Sequence, residues 1–303
     1  MNRLTVVPLN FNGLELLKKS MESWLDACRC CPHNATLHIL DNASEDGSLG
    51  WLGEAHPDIP VHRMDKNLIL QAYNVFLKLL DTEYVLILNN DVHLEPDSLG
   101  PLVDRLDQAP DALGVNPMIT EGEGGVRQRK GGRFFHGHLA LLDLGPGAGG
   151  TLLLHGAAML VRRERFLELG GFDPTFFYFE DNDLSYRAWR AGYTCWFEPE
   201  SVVHHTPSST TDSVYRGVVN RRALKEKGSL LFVLKNIRRK RWLWNAYWWT
   251  VLKCLKMVLT FDRSRWWAMR QVVVNRHKVT SLKANWTGLT DQEILDKVVK
   301  VEP

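Results

Sequence analysis

Residues 84–91 read Tyr84-Val85-Leu86-Ile87-Leu88-Asn89-Asn90-Asp91, the most apolar strand-like run of the chain, followed directly by two amides and an acid. A short apolar run bounded by polar residues is typical of a strand that is buried on both faces. An acid at the end of such a strand does not serve packing, because a charged group near a core needs a partner. The run therefore predicts a central strand and a functional position at its end.

Strand and helix signals alternate on both sides of this run, as in a parallel α/β sheet. Strands are predicted at 6–10, 36–40 and 61–63, and helices at 14–25, at about 71–80, from 163 to 169 and from 180 to 191. The second strand runs into Asp41-Asn42-Ala43-Ser44-Glu45-Asp46-Gly47-Ser48, a series of capping and turn-forming residues. Such a series lies at the carboxyl edge of the sheet, where open α/β folds bind ligands. Segment 121–150 holds ten of the 23 glycines, and we expect a long functional or mobile loop there.

The charge of the chain is divided unevenly. The formal net charge is only +2, but residues 216–278 carry 17 Lys and Arg against two acids, Glu226 and Asp262. With 45% hydrophobic and 24% charged residues, the 303-residue chain is neither disordered nor a multi-span membrane protein. We expect a domain at 1–215 and a basic, tryptophan-rich helical extension at 216–303.

Cysteine usage favours a reducing compartment. Five scattered cysteines form no disulfide framework, and the first residues lack the apolar core of a signal peptide. The cluster Cys28-Arg29-Cys30-Cys31 has no second cysteine pair with which to bind zinc. We therefore expect a cytoplasmic protein.

Asp91 has two interpretations. A magnesium or manganese ion that bridges a diphosphate needs only one or two carboxylates besides the phosphate oxygens, so Asp91 with His93 nearby would suffice. Alternatively, Asp91 caps the turn that follows the strand. The spacing leaves both interpretations open.

The run from Gly170 to Leu184 places four aromatic residues directly before the acids Glu180, Asp181 and Asp183. Carboxylates at the start of a helix stay ionised in its dipole, and aromatic neighbours exclude water, which is a suitable setting for a general base. For Asp183 we favour an ion pair with Arg187, one helical turn later. For Asp181 we favour a functional role.

Six motifs in order resemble those of the inverting glycosyltransferases of family 2, especially the rhamnosyltransferase-like branch. The motifs are Asn10-Phe11-Asn12-Gly13, residues 41–48, Leu88-Asn89-Asn90-Asp91, Gly156-Ala157-Ala158-Met159-Leu160-Val161-Arg162-Arg163, residues 170–184 and Val203-His204-His205. The resemblance covers residues 4–210 and implies a GT-A fold, with a mostly parallel central sheet flanked by helices. It also implies a nucleotide-sugar half at about 1–120 and an acceptor half at about 150–215.

The resemblance also implies roles for individual residues. Asp181 would be the catalytic base, and Gly156 and Glu180 would contact the acceptor. Asp91 would hold a Mg²⁺ or Mn²⁺ ion on the donor diphosphate. His204 or His205 matches a histidine that helps to hold the metal or the diphosphate in some family members. The residues implied to contact the nucleotide sugar are Asn10, Asn12, Asp41, Asn67, Asn74 and Asn90. Between Asn67 and Val75 this chain keeps only Asn67 and Asn74 of a glycine-rich family pattern, so the sugar is left open.

The basic extension contains a predicted helix, Asn245 to Leu259, with one apolar arc. The arc consists of Trp248, Val251, Leu252, Leu255, Val258 and Leu259. A helix of about fifteen residues with tryptophan and lysine suits a membrane interface, and 238–241 would add attraction to anionic lipid. A helix packed on the catalytic domain is the second interpretation, and nucleic-acid binding the third. We expect a membrane surface contacted through 238–259 and no nucleic-acid partner.

Together these features predict a metal-dependent glycosyltransferase. It would move a sugar, with rhamnose a candidate, from a nucleoside-diphosphate donor to a saccharide or lipid-linked saccharide in cell-surface polysaccharide synthesis. It would lie on the inner face of the cell membrane. The alternatives are a sugar nucleotidyltransferase, which would need a glycine-rich, lysine-bearing phosphate loop after the first strand, and a non-catalytic carbohydrate or nucleic-acid binding protein.

Overall fold

The computed structural model describes residues 3–206, 221–260, 262–281 and 288–303. The strands are β1 (Leu4–Asn10), β2 (Ala35–Leu37), β3 (Ile39–Asp41), β4 (Val61–Arg63), β5 (Tyr84–Asn89), β6 (Val92–Leu94), β7 (Ala112–Glu121), β8 (Gly125–Arg127), β9 (Lys130–Phe135), β10 (His138–Asp143), β11 (Gly149–Gly150), β12 (Ala158–Arg162) and β13 (Thr194–His205). The helices are α1 (Leu14–Cys30), α2 (Ser48–Ala55), α3 (Ala72–Phe76), α4 (Leu99–Gln108), α5 (Arg163–Glu168), α6 (Glu180–Ala191), α7 (Arg221–Asn236), α8 (Lys240–Thr260), α9 (Arg263–Ser281) and α10 (Asp291–Lys300).

Eleven of these strands form one central sheet. Its main path runs β11-β13-β7-β12-β5-β1-β3-β4. Strands β5, β1, β3 and β4 are parallel, whereas β12 is antiparallel to both β5 and β7. The five residues Tyr84 to Leu88 of β5 are all buried, which explains their unbroken apolar character. The predicted α/β fold, with a mostly parallel central sheet flanked by helices, is confirmed.

Two predicted elements differ in detail. The strand predicted at 36–40 is divided into β2 and β3 at His38, whose ring stacks on His62 with 5.4 Å between centroids. The helix predicted at about 71–80 is only one turn of α-helix, α3, preceded by a 3-10 turn at Ile69–Gln71. Tyr73 fixes α3 to the sheet, because its hydroxyl lies 2.8 Å from the Val7 carbonyl oxygen.

The expectation of a long loop at 121–150 is wrong. Strand β8 pairs with the end of β7, and β9 and β10 form a separate antiparallel hairpin. The two-residue turn His136-Gly137 has φ values of 49° and 79°, as a tight hairpin requires. Gly132 permits close packing, because a Cβ atom there would lie 2.4 Å from Leu152 Cδ2. Gly137 therefore serves a turn, and Gly132 serves close packing against the segment after β11.

Helices α7 and α10 complete the main core. Leu231 and Phe232 of α7 and Ile294 and Val298 of α10 are buried in the same hydrophobic cluster as residues of β1 and β5. The apolar contacts of the basic extension are therefore continuous with those of the sheet. The predicted domain boundary near 215 lies outside the described residues.

Candidate active site

Three polar side chains meet where β1, β3 and β5 end. Asn10 ends β1, Asp41 ends β3 and Asn90 follows β5, and all three are buried. Asn10 Nδ2 donates to Asp41 Oδ1 at 3.1 Å, and Asn90 Nδ2 donates to Asn10 Oδ1 at 3.0 Å. They meet because parallel strands present their carboxyl ends at one edge of the sheet. Three of the residues predicted to contact a nucleotide sugar thus form one hydrogen-bonded cluster.

The turn after β1 passes close to this cluster. A Cβ atom on Gly13 would lie 2.2 Å from Asn90 Nδ2, so a side chain there would displace Asn90. The backbone amide of Asn12 donates to Ser44 Oγ at 2.9 Å, and Asn12 Oδ1 accepts from the Glu45 amide at 2.7 Å. Asn12 therefore ties the turn to the loop after β3. Ser44 was not predicted as a site residue, although a hydroxyl in a turn-forming run is a signal for such a contact.

The other two residues predicted to contact the nucleotide sugar, Asn67 and Asn74, lie in two different parts of the structure. Asn67 Oδ1 accepts from Asn42 Nδ2 at 2.8 Å, next to Asp41 at the same sheet edge. The Asn74 amide accepts from the Phe172 nitrogen at 2.8 Å and donates to the Phe172 oxygen at 2.7 Å. Asn67 thus joins the edge of the sheet, whereas Asn74 holds the loop that leads to α6.

Asp91 lies beside His205 in a chain of charged groups. His205 Nε2 is 3.3 Å from Asp91 Oδ1, and His205 Nδ1 is 3.2 Å from Glu121 Oε1. Glu121 in turn accepts from Arg127 Nε at 2.8 Å. Burial alone would lower the pKa of His205, but hydrogen bonds and charge interactions with Asp91 and Glu121 outweigh burial and raise it. Glu121 and Arg127 were not predicted as site residues, because they come from segment 121–150, where a loop was expected.

His204 is separated from Asp91 although it adjoins His205. Successive residues of a strand point to opposite faces, and β13 follows this rule. The His204 ring contacts Thr120 Oγ1 at 2.6 Å and the Glu95 carboxylate. Of the three residues predicted to hold metal, the structure brings together Asp91 and His205 and turns His204 away.

The pair Asp91 and His205 fits a divalent cation. Neighbouring ligands of an octahedral Mg²⁺ ion are about 3 Å apart, since each lies about 2.1 Å from the metal. The 3.3 Å between Asp91 Oδ1 and His205 Nε2 is close to this value. A carboxylate oxygen and an imidazole nitrogen are also suitable ligands for Mn²⁺, with phosphate oxygens and water completing the shell.

A different cluster among the described residues has three potential metal ligands, His33, Asp104 and Asp107, with ligand atoms within 4.8 Å of one another. Arg3 pairs with Asp107 at 2.8 Å and directly precedes β1. This cluster therefore lies at the amino end of the strand, opposite the edge that carries Asp91. It is not the metal site predicted from the sequence.

Asp181 lies in the first turn of α6 and faces the chain just before β12. Asp181 Oδ2 accepts from the Gly156 amide at 3.2 Å, and Oδ1 accepts from the Asn182 amide at 2.8 Å. The Ala157 carbonyl oxygen accepts from the Asn89 amide at 2.9 Å, so this segment lies beside the end of β5. Asp181 is therefore brought to the same region as Asn90 and Asp91 by the pairing of β12 with β5.

Glu180 is buried beside Asp181. Its Oε2 atom has no hydrogen-bond partner among the described residues. Burial and the neighbouring Asp181 carboxylate raise the pKa of Glu180 to about 7, although Lys227 of α7 acts in the opposite direction. Burial also lowers the pKa of Lys227. Lys227 was not predicted to belong to this site, because only the tertiary structure brings α7 to the start of α6.

Asp183 has the structural role that the sequence indicated. It is fully buried, and Asp183 Oδ2 accepts from Arg187 Nε at 2.8 Å. Lys235 Nζ and Asn236 Nδ2 of α7 each donate to it at 2.9 Å. Because both oxygens of its carboxylate accept hydrogen bonds, Asp183 anchors α6.

His155 is a neutral residue next to Gly156 that the sequence analysis missed. Burial, together with the positive charges of Arg127 and His205, lowers the pKa of His155 to about 3. Its Nδ1 atom accepts from the Ala157 amide at 3.2 Å, which shapes the turn that presents Gly156 to Asp181. The available signal in the sequence for a role of His155 was its position directly after the apolar run 152–154.

The comparison with family models decides the classification. The model of glycosyl transferase family group 2 matches residues 84–289, more than half of the chain. The chain belongs to this family. The resemblance to family 2 inferred from the six motifs is thereby confirmed, and neither a sugar nucleotidyltransferase nor a non-catalytic binding protein is favoured.

Curated relatives of this chain occur in two strains of Mycobacterium tuberculosis, CDC 1551 / Oshkosh and ATCC 25618 / H37Rv. Each is an N-acetylglucosaminyl-diphospho-decaprenol L-rhamnosyltransferase and is 31% identical over 153 residues. The match covers 42% of this chain and 48% of the relative, so the chain spans about half the length of the curated relatives it matches.

Solved glycosyltransferase structures share the fold. GalNAc-T7 with UDP, GalNAc and Mn²⁺ has a TM-score of 0.60 at 17% identity and covers 78% of this chain and 48% of its own. A Staphylococcus aureus TarS fragment with UDP-GlcNAc has a TM-score of 0.59 at 13% identity. The match covers 80% of this chain and 70% of the fragment. A mannosyltransferase from Pyrobaculum calidifontis with GDP-Man and Mn²⁺ has a TM-score of 0.52 at 15% identity. The match covers 93% of this chain and 88% of the mannosyltransferase. The predicted GT-A fold of this family 2 member is confirmed.

Proposed function

We propose that this protein transfers a sugar from a nucleoside diphosphate to a lipid-linked saccharide, with inversion at the anomeric carbon. The observation that carries the proposal is the gathering of Asp91, Asp181 and the Asn10 cluster around the carboxyl ends of β1 and β5. A site for sugar transfer needs groups that bind a nucleotide and its diphosphate on one side and a base for the acceptor on the other. These described residues supply both.

The reaction is a single displacement. The acceptor oxygen attacks the anomeric carbon, the bond from that carbon to the diphosphate oxygen breaks, and the acceptor proton passes to an Asp181 oxygen. The Gly156 amide, which donates to Asp181 Oδ2, keeps the carboxylate oriented. An ordinary carboxylate can serve as the base because the acceptor hydroxyl becomes acidic as its new bond forms.

Asp91 and His205 are the residues that would hold Mg²⁺ or Mn²⁺ in this proposal. When bound, such an ion stabilises the negative charge that develops on the leaving diphosphate. Asn10, Asn12, Asp41, Asn67 and Asn90 line the adjoining edge of the sheet and would contact the nucleotide sugar. Gly156 and Glu180 would adjoin the acceptor, next to Asp181.

L-Rhamnose is the sugar that we propose first, with an N-acetylglucosaminyl-diphospho-lipid as the acceptor. The support is the name of the Mycobacterium tuberculosis relatives, N-acetylglucosaminyl-diphospho-decaprenol L-rhamnosyltransferase. Such a product belongs to cell-surface polysaccharide synthesis in our proposal. A lipid-linked acceptor also requires the enzyme to work at a membrane surface.

Helix α8 supports a membrane-surface location. Among the described side chains of α8, six large apolar ones are more than half exposed, namely Trp244, Tyr247, Trp248, Leu252, Leu255 and Leu259. The opposite face is packed on the β9–β10 hairpin, where Trp242 stacks on Phe134 with 4.8 Å between centroids. Val251 is half-buried, and the side chain of Val258 lies outside the described residues. One face of α8 is therefore available to a membrane, and the opposite face packs on the protein. Each of the two interpretations of the helix is supported by one of these faces.

We propose that α8 lies in the interface of an anionic membrane on its cytoplasmic side. Exposed Lys240 and Arg241 begin the helix, and the exposed tryptophans suit the headgroup region. None of the described helices is long and apolar enough to span a membrane. All five cysteines are free thiols, which suits a reducing compartment.

The test is a transfer assay with the full chain. Nucleoside-diphosphate sugars, rhamnose donors among them, are offered with an N-acetylglucosaminyl-diphospho-polyprenol in Mn²⁺, and the product is identified by mass spectrometry and its anomeric configuration by NMR. We expect an inverted glycosidic bond. Asp181→Asn should reduce turnover by about 10²–10⁴-fold with donor affinity nearly unchanged, because a base acts on the acceptor in the transition state.

The matched control is Glu54→Gln, an equally conservative change of an exposed acid on α2. It should leave turnover unchanged. Retention of configuration, or turnover of Asp181→Asn within a few-fold of the wild type, would contradict the mechanism. Failure of every sugar donor with this acceptor would contradict the proposed substrates.

A further inference from the structure

Two aromatic residues directly before Glu180 adopt a backbone conformation that such residues rarely adopt. Tyr178 has φ 66° and Phe179 has φ 81°, both in the left-handed region. This region is disfavoured for bulky residues, and they remain in it only where the surrounding structure holds them. Phe179 is the N-cap of α6, and its carbonyl oxygen accepts from the Asp183 amide at 2.8 Å. The unusual pair therefore determines where α6 begins and how its first turn is aimed.

Helix α7 makes its closest approach to this pair at Gly228. A Cβ atom on Gly228 would lie 2.6 Å from the Tyr178 carbonyl oxygen, and 2.8 Å from Phe179 Cδ2. Real Cβ atoms essentially never come so close to a neighbour, and the first contact is with backbone, which cannot rotate away. Glycine weakens the interior of a helix, so helix stability alone would favour alanine at this buried position. The close approach accounts for the glycine.

Other residues of α7 hold the same segment before and after the pair. Lys235 Nζ lies 2.6 Å from Asp173 Oδ2 and 2.9 Å from Asp183 Oδ1, so it joins the two ends of the segment. The Phe232 ring lies 6.2 Å from the Phe179 ring. Lys227, one residue before Gly228, is buried and interacts electrostatically with Glu180. Helix α7 thus contacts the segment on both sides of Asp181.

We propose that Gly228 is a positioning residue for the acceptor base, because its missing side chain lets α7 close on Tyr178 and Phe179 and so aims Asp181 at the acceptor. The inference rests on the proposed function in that it takes Asp181 as the base. A side chain at 228 pushes the start of α6 outward and moves the Asp181 carboxylate from its place beside the Gly156 amide. The nucleotide cluster at Asn10, Asp41 and Asn90 does not touch α7 in any described hydrogen bond and stays in place.

The experiment compares Gly228→Ala with Gly53→Ala in the full chain. Gly53 is an exposed helical glycine of α2 whose added Cβ atom would meet nothing within 4 Å. We expect Gly228→Ala to lower kcat by about 10²-fold, the effect of a misplacement of about 1 Å. Its affinity for UDP, GDP and dTDP in Mn²⁺, measured by calorimetry, should stay within twofold of the wild type. Gly53→Ala should match the wild type in both measurements.

Hydrogen exchange provides a readout that needs no substrate. Amides of residues 178–184 should exchange faster in Gly228→Ala, while those of β1 and β5 keep their protection. Unchanged exchange at 178–184 overturns the positioning role, whether or not the transfer reaction is the one proposed. Unchanged kcat with faster exchange also overturns it, and a wild type that transfers no sugar contradicts the proposed function alone.

A milder variant covers the case in which Gly228→Ala does not fold. Phe232→Leu shortens the side chain that contacts Phe179 and leaves Gly228 intact. We expect kcat to fall several-fold with nucleotide affinity unchanged and local exchange at 178–184 increased. If kcat of Phe232→Leu stays within twofold of the wild type and exchange at 178–184 is unaltered, the proposal is wrong.

Discussion

Adjacent residues on a strand can have unrelated roles, as His204 and His205 illustrate. His205 Nε2 lies 3.3 Å from Asp91, whereas the His204 ring contacts Thr120 on the other side of β13. We predict that His205→Ala weakens Mn²⁺-dependent binding of a nucleoside diphosphate at least about tenfold, the lower end of the loss seen around metal sites. Calorimetry with Mn²⁺ and with EDTA measures this difference.

His204→Ala is the matched control for that prediction, since it removes the same ring from the next position. It should retain the metal-dependent part of the affinity. Equal losses in the two variants would show that the metal assignment of His205 is wrong.

Glu180 provides a prediction about pH. Its pKa is raised to about 7 from an ordinary value of 4.5, so the folded protein keeps a proton that the unfolded chain releases between these values. The contribution of Glu180 to stability is therefore present at low pH and is lost as the pH rises to about 7. Glu180→Gln should gain stability relative to the wild type from pH 5 to pH 8, approaching about 3 kcal/mol. Urea unfolding at four pH values in this range measures the gain.

Glu54→Gln serves as the reference for this titration because Glu54 is exposed on α2. Its free energy of unfolding should stay within about 0.5 kcal/mol of the wild type, as is usual for an exposed substitution. A difference between Glu180→Gln and the wild type that does not change with pH would mean that burial does not raise the pKa of Glu180.

At the scale of the element, α8 has one packed face and one exposed face, and both faces carry tryptophan. Trp248 is exposed, whereas the neighbouring Trp249 lies against His136 of the hairpin with 4.0 Å between ring centroids. Asn245 Oδ1 also accepts from the Gly137 amide at 2.8 Å. Tryptophans one residue apart point about 100° apart on a helix, so one can face the domain and the other its surroundings.

We predict that Trp248→Ser, combined with Leu252→Ser, releases the protein from anionic vesicles and leaves the melting temperature nearly unchanged. The physical reason is that both side chains are more than half exposed and would insert into the interface. Salt should weaken vesicle binding of the wild type only in part, because it screens the charge contribution but not apolar burial. Co-sedimentation and a melting curve measure the two effects.

Trp249→Ser is the control on the opposite face. It should lower the melting temperature, because it removes a ring packed on the hairpin. A wild-type protein that stays in the supernatant with anionic vesicles at low salt would exclude the membrane interpretation of α8.

At the scale of the whole molecule, the basic extension and the described residues 3–206 share buried charges. Lys235 of α7 is buried and pairs with Asp173 and Asp183, both of which are buried near the start of α6. Removing one partner of a buried pair leaves an uncompensated charge, which typically costs about 3–5 kcal/mol. We predict a loss of this size in the free energy of unfolding for Lys235→Met, measured with urea.

Lys253→Met removes the same charge from α8 and is the matched control. Lys253 Nζ is 3.7 Å from Glu226 and its side chain is 34% exposed, so the loss should be within about 1 kcal/mol. Similar losses in the two variants would mean that Lys235 does not link the extension to residues 3–206.

The sequence alone determined the parts of the fold that depend on local pattern. Apolar runs and turn residues placed Asn10, Asp41, Asn90 and Asp91 at strand ends, and the topology of a parallel sheet then brings strand ends together. Helix α6 and its ion pair between Asp183 and Arg187 also followed from local spacing, because residues four apart are neighbours on any helix.

The tertiary structure decided what depends on residues distant in the chain. Only the pairing of β13 with β6 and β7 shows that His205 faces Asp91 and His204 does not. Only the packing of α7 explains Gly228, since a helix pattern contains no information about the backbone that it will approach. The glycines of 121–150 were misinterpreted for the same reason. Local sequence limits what a segment can form, but contacts between distant segments select the conformation and place each side chain at or away from the site.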